Sequence, residues 1–192
     1  MSYDPCRVFR KLARNNRLAN VRLHASCLRL SHEELIALRT SFFPTIRATL
    51  NHIYLVDLFY IDALEGGRKG LATFDDSEPF KDMEALRNAQ AQMDDRLIAF
   101  VDRLTPPELA QTAFVHRGER VQKDRRDDIL THLFQHQTHH RGQVHAMLSG
   151  TGVSPPQLDE FIVGDDAGVR QIEMKALGWD EADLMDREVT ND

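Results

Sequence analysis

The segment FQHQTHHRGQVH, residues 134–145, holds four of the nine histidines of the chain. His136 and His140 lie four residues apart. On a helix that spacing puts them about 40° apart and one turn above each other, so two ring nitrogens can converge beside the helix. An H-x-x-x-H pair grips a divalent metal in this way. A third imidazole, His52, stands mid-stripe on another apolar helical run. If the two helices are neighbours, three imidazoles meet at one depth. Burying them unpartnered would cost about 1 to 3 kcal/mol per unsatisfied group, and a shared cation turns that cost into a binding site. A lone buried histidine is more often a satisfied core residue than a ligand; the coincidence of three on apolar stripes points to metal. His24, His32, His116, His132, His139 and His145 fall off these stripes or lack a ligand-like partner, so surface or structural roles are expected of them.

Three neutral imidazoles leave at least one coordination position open, the mark of a catalytic rather than a structural centre. A metal such as zinc brings the pKa of bound water down to about 7, binds a thiolate or polarises a carbonyl. No unambiguous general base accompanies the trio. Tyr54, Asp57 and His139 are the candidates.

The elements that must position these residues are four long apolar-periodic runs. The first helix is predicted from about Pro5 to Leu30, with the stripe Phe9, Leu12, Asn16, Ala19, Leu23, Cys27 and Leu30. Ser31 and Glu34 form a capping-box pattern that starts a short helix ending near Phe43, before Pro44. The second long helix follows from Thr45 and closes at Gly66 and Gly67. The third runs through Met83, Leu86, Gln90, Met93, Leu97, Phe100 and Leu104 and stops at Pro106 and Pro107. Residues 111–125 read as a short hairpin. The fourth helix runs from about Asp127 to Ser149, with the stripe Ile129, Leu133, His136, His140, Val144 and Met147. A last short helix is predicted near Asp166 to Leu177. The fold class is therefore all-α, a four-helix bundle with a hairpin excursion before the last long helix.

Composition limits the remaining alternatives. At 192 residues and 42% hydrophobic content, the chain can bury one sizeable core. No apolar run approaches the roughly 18 residues that cross a bilayer, and the charged N-terminus does not read as a signal peptide. Cys6 and Cys27 sit on one predicted helix roughly 30 Å apart, too far to pair, so a cytoplasmic, reduced protein is expected. The net charge is −6. From Pro156 onward eleven acids face three bases, which makes −8 and leaves the rest near +2. Arg7, Arg10, Arg14 and Arg17 recur at helical spacing. They read as a solvated outer face, because no aromatic residues interleave them as nucleic-acid binding would want. Nucleic acid is not an expected partner.

LARNNRLANVRL, LNHIYLVDLFY and above all LFQHQTHHRGQVHAML resemble the DinB family, part of the YfiT/DinB superfamily of metalloenzymes, over roughly residues 6–163, including TGVSPPQLD after the last long helix. The resemblance implies a DinB/YfiT-type up-down-down-up bundle with a long crossover, a homodimer, and a divalent ion held by His52, His136 and His140. Zinc or nickel is expected foremost, then iron, since imidazole suits all of them. Asp57 matches the family's aspartate five residues after the first histidine; about 140° around the helix from His52, it would support the centre rather than ligate. Arg141, Gly142 and Gln143 complete the motif, with Arg141 and Gln143 expected behind the ligands and Gly142 at a close helix contact. Residues 1–163 would be the metal-binding domain and 164–192 an acidic extension packed on it or trailing. The function implied is a metal-dependent enzyme acting on a small molecule, a hydrolase or a transferase using a low-molecular-weight thiol such as bacillithiol or mycothiol. The alternative is a non-catalytic, damage-inducible metal-binding stress-response protein.

Overall fold

Each long run of apolar residues at helical spacing becomes a helix in the computed structural model, which describes residues 3–159 and 163–185. The elements are α1 (Cys6–Cys27), α2 (His32–Ile36), α3 (Ile46–Leu64), α4 (Met83–Asp102), α5 (Pro106–Leu109), β1 (Thr112–Arg117), β2 (Arg120–Arg125), α6 (Arg126–Leu148), α7 (Gln171–Leu177) and α8 (Glu181–Met185). Side chains set their starts. Thr45 caps α3 through the Ala48 N–H and Asp82 caps α4 through the Ala85 N–H. Ser31 and Glu34 close the reciprocal box on α2. That helix ends at Ile36 rather than near Phe43. Ala37 turns extended, Pro44 disfavours helix before it, and the loop closes with the Arg39 N–H donating to the Pro44 carbonyl at 2.8 Å.

Contacts along the helices fix their directions. Arg14 meets Asp102 while Asn20 meets Asp94, so α1 and α4 run antiparallel. His52 meets His136 and Tyr60 meets His132, so α3 and α6 are antiparallel too. Asp57 meets Gln90 and Glu65 meets Arg96, so α3 and α4 run parallel. The order is up-down-down-up, and residues 65–82, with a 3-10 helix at Gly70–Phe74, must return along the bundle to begin α4. The antiparallel hairpin β1–β2 pairs Thr112 with Arg125 through Arg117 with Arg120.

The core is two apolar halves. One gathers Phe9, Val56, Phe59, Leu97 and Leu133; the other Leu23, Ile46, Ile53, Leu86 and Val144. Between them lies a buried polar layer with members from all four long helices: Asn16, Asn20, Asp57, Gln90, Asp94, Gln137 and Arg141.

The basic residues of α1 are not a free solvated face. Arg14 holds Asp102 with both terminal nitrogens, Arg17 stands 3.3 Å from Asp95 and 3.7 Å from Asp94, Arg10 pairs with Asp4, and Arg7 donates to the Met185 carbonyl. The C-terminal extension packs on α1, with Met174 and Leu184 against Leu18 and Ala19 and with Arg22 bonded to Glu173. Arg170, fully buried, ties Glu181 to the Val163 carbonyl. The predicted helix at Asp166 to Leu177 is a 3-10 helix, Gly164–Arg170, continued by α7. Residues 186–192 of the expected extension lie outside the described residues. Cys6 and Cys27 are free and buried at opposite ends of α1. No described helix is long and apolar enough to cross a membrane.

His24 is 2% exposed, its Nδ1 lacks a hydrogen-bond partner among the described residues, and burial, with the charge of Arg17 adding to it, pushes its pKa down to about 4 from 6.5. The unfolded chain therefore binds the proton first as pH falls from about 6.5 to about 4, and folded stability drops by about 3 kcal/mol over that window. His24→Leu is expected to flatten this part of the stability profile, measured by urea denaturation at pH 7 and pH 4.5. An unchanged slope would refute the assignment.

Candidate metal centre

The inward line of α6 runs through Leu130, Leu133, Gln137, Arg141, Val144 and Leu148. At 100° per residue, His136 lies about 100° and His140 about 60° to one side of Gln137, the side that meets α3. The histidines thus stand at the rim of the bundle interior rather than on its centre line. His52 on α3 completes the group. One ring nitrogen from each of His52, His136 and His140 lies within 4.8 Å of the others, and ring centroids are 4.4 to 4.9 Å apart.

Two imidazole Nε2 atoms, of His52 and His136, face each other at 2.9 Å. Burial pushes the His136 pKa down to about 3, reinforced by His140 and His52; burial also takes His52 down to about 4, with His140 adding to it. Both rings are therefore neutral near pH 7. His140 is lowered as well, chiefly by burial and against the Gln143 hydrogen bond. Its Nδ1 lies 2.8 Å from Gln143 Oε1, an atom that only accepts, so Nδ1 carries the hydrogen and Nε2 keeps a lone pair. The Gln143 amide then donates to His139 Nε2 at 3.0 Å. His136 Nδ1 is buried without a hydrogen-bond partner among the described residues. Three neutral nitrogen donors, one oriented from behind by an amide, suit a divalent cation of the zinc, nickel or iron kind. Phe43 covers part of the group, 4.1 Å from the His52 ring and 5.7 Å from His140.

The other expected residues divide. His139 touches the group at its edge, its ring 4.9 Å from His140. Gln143 stands beside His140, its Oε1 against the ring Nδ1. Tyr54 is not brought to the histidines; it packs edge-on against Phe80, 5.1 Å away. Asp57 accepts from Gln90 and Gln137 in the polar layer, and burial, with Asp94 nearby, pushes its carboxyl up to about 7. Asp94 is raised by burial to about 6, against Arg17. Arg141 points to Asn16 and Asn20 on α1, away from the histidine side of α6. Gly142 is exposed with open space where a Cβ would stand, so it mediates no close helix contact. His132 stacks between Tyr60 and His136.

Sequence reasoning missed Phe43, because the loop holding it was read as helix. It also missed the polar layer, although Asn16 and Gln90 stood in plain view as polar interruptions of apolar stripes.

Comparison with known proteins follows the same lines. The pattern of the DinB family matches residues 3–172. Protein DinB of Bacillus subtilis (strain 168) is 26% identical over 136 residues, which cover 67% of this chain and 74% of that protein. A crystal structure of a DinB-like protein from Bacillus cereus ATCC 10987 superposes with a TM-score of 0.56 at 15% identity, covering 72% of this chain and 89% of the other, a likeness of fold.

Two outcomes test the arrangement. Gln143→Ala frees the His140 tautomer and is expected to weaken metal binding about 10- to 100-fold, read by chelator competition. Arg141→Leu leaves Asp57 and Asp94 without their buried cation and should cost about 3 to 5 kcal/mol at pH 7.5. Because both carboxyls are raised above 3.8, that deficit should shrink as pH falls through 7 and 6 toward 5. A deficit independent of pH would mean that the layer carries no buried charge.

Proposed function

This chain belongs to the DinB family, and from that premise we propose that it is a metal-dependent enzyme acting on a small molecule, with one divalent ion held by His52, His136 and His140. The reading is supported above all by the 2.9 Å approach of the His52 and His136 Nε2 atoms, both on neutral rings. Zinc or nickel is the foremost candidate and iron the next. A divalent ion there supplies Lewis acidity to a water, thiol or carbonyl that reaches it. The protein supplies the rest. Gln143 holds the His140 tautomer, Phe43 keeps water from one face of His52, and His139 presents a ring at the edge of the group. Hydrolysis and transfer to a low-molecular-weight thiol are the two reactions this fits, in a cytoplasmic homodimer.

A second reading is a non-catalytic metal-binding, damage-inducible protein. The observation favouring it is that Tyr54 and Asp57 are engaged elsewhere and His139 Nε2 is taken by Gln143, so none of these three described candidates is free to act as general base beside the trio.

Elemental analysis of untagged protein should find about one equivalent of metal in the wild type and loss of it in both His52→Ala and His140→Ala. Stoichiometric metal retained by both variants overturns the centre. With the loaded protein, a panel of thiols and electrophiles separates the reactions, since only a transferase consumes the thiol. Bound metal without turnover in any arm would favour the second reading.

A further inference from the structure

We infer that the chain carries a second ligand site, at the opposite end of α3 from the histidines, that takes a small organic anion with an apolar body. The site is the 560 Å³ cavity between the last turn of α3, the segment after it and the β1–β2 hairpin. Leu64 on its wall lies twelve residues beyond His52 on one helix, roughly 18 Å along the axis. The cavity is therefore separate from the metal centre.

Its apolar part is surface that the fold leaves uncovered. Register pairs Phe114 with Lys123 and His116 with Val121, so these four side chains share one face of the hairpin, opposite the fully buried Val115. Phe114 is 50% and Val121 42% exposed, both on the cavity wall.

Its charged part is a cluster of bases in a chain of net charge −6. Several arginines elsewhere are taken up by acids: Arg14 by Asp102, Arg22 by Glu173, Arg47 by Glu78, Arg96 by Glu65, Arg170 by Glu181. The three bases lining this cavity, Arg68, Lys123 and Arg126, form no ion pair with any described residue. The acid on the wall, Glu65, is committed to Arg96 at 2.6 Å and lies 3.8 Å from Arg103. Glu108, which feels the charge of Arg126, accepts from the Thr105 N–H and hydroxyl. Arg126 Nε is buried and has no hydrogen-bond partner among the described residues, while the side chain as a whole lines the cavity.

Guanidinium forks match the paired oxygens of a carboxylate or phosphate, and an aromatic shelf beside them takes an aryl or alkyl body. The ligand class is accordingly an aryl or alkyl carboxylate or phosphate monoester. Inorganic phosphate lacks the body and a neutral alcohol lacks the charge.

The test is a titration of the full chain, followed by amide NMR, with four probes: phenyl phosphate, benzoate, inorganic phosphate and benzyl alcohol. Phenyl phosphate or benzoate should give saturable shifts centred on residues 63–68 and 112–126, and whichever binds more tightly identifies the head group. Lys123→Gln and Arg126→Gln should each weaken that binding about tenfold, with metal content and melting temperature unchanged. Arg68→Gln serves as a second variant at an exposed position should Arg126→Gln unfold. The inference is overturned if neither aromatic anion saturates, if benzyl alcohol or inorganic phosphate binds as well as they do, if the shifts centre on the histidines, or if the folded charge variants bind undiminished.

Discussion

A guanidinium and two carboxylates in the middle of a protein cannot be left to themselves, and Arg141, Asp57 and Asp94 are all buried. The price of that burial is met by a chain of amides. Gln90 Nε2 bridges the two carboxylates at 2.7 and 3.1 Å, Gln137 donates to Asp57, and Asn16 and Asn20 hold Arg141 from α1 while Asn20 also donates to Asp94. Apolar side chains tolerate sliding past one another, but the hydrogen bonds of this layer tie it to one register, even though Gln90 Oε1, Asp94 Oδ2 and Gln137 Oε1 have no hydrogen-bond partner among the described residues. A slip of α6 by one turn, about 5.4 Å, would part Gln137 from Asp57 and in the same movement carry His136 and His140 away from His52. The meeting of the histidines thus shares its register with the polar layer, since Gln137 follows His136 and Arg141 follows His140 in the chain.

The same burial that makes the layer demanding makes the histidines useful. Imidazoles near the rim lose enough water to stay neutral well below pH 6.5, and a ligand nitrogen must be neutral to offer its lone pair. The Gln143 amide decides which nitrogen of His140 is offered. Desolvation and tautomer selection come from different residues, so the electrostatic readiness of the centre and its orientation can be disturbed separately.

Much of this was legible in the residue pattern, and the failures have physical causes. The 3.6-residue period marked all four long helices, and Ser31 and Glu34 formed the capping box that their spacing predicts. The i, i+4 spacing placed His136 and His140 on one face, and the His52 stripe brought the third ring to them. Periodicity gives the width of a buried face but not its centre. It therefore put the histidines on the inward line that Gln137 and Arg141 occupy. A helix buried nearly all round, as α3 is, gives a weak angular signal; it set Asp57 apart from His52 but did not show that Asp57 bonds Gln90 and Gln137 or that Tyr54 packs on Phe80. Charge recurring along α1 looked like solvation because its partners on α4 are some eighty residues away in sequence. Glycine in a motif suggested close approach, yet Gly142 has open space beside it.

The parallel pairing of α3 with α4 has a kinetic consequence. Two helices that follow each other head to tail cannot fold back as a local hairpin, so each must find its antiparallel mate elsewhere in the chain. Arg14 reaches Asp102 across 88 positions and His52 reaches His136 across 84. High contact order of this kind means late loop closure and slower folding than a simple meander of four helices would show. A ribosome-bound chain must therefore emerge almost to its last long helix before the first can be finally seated.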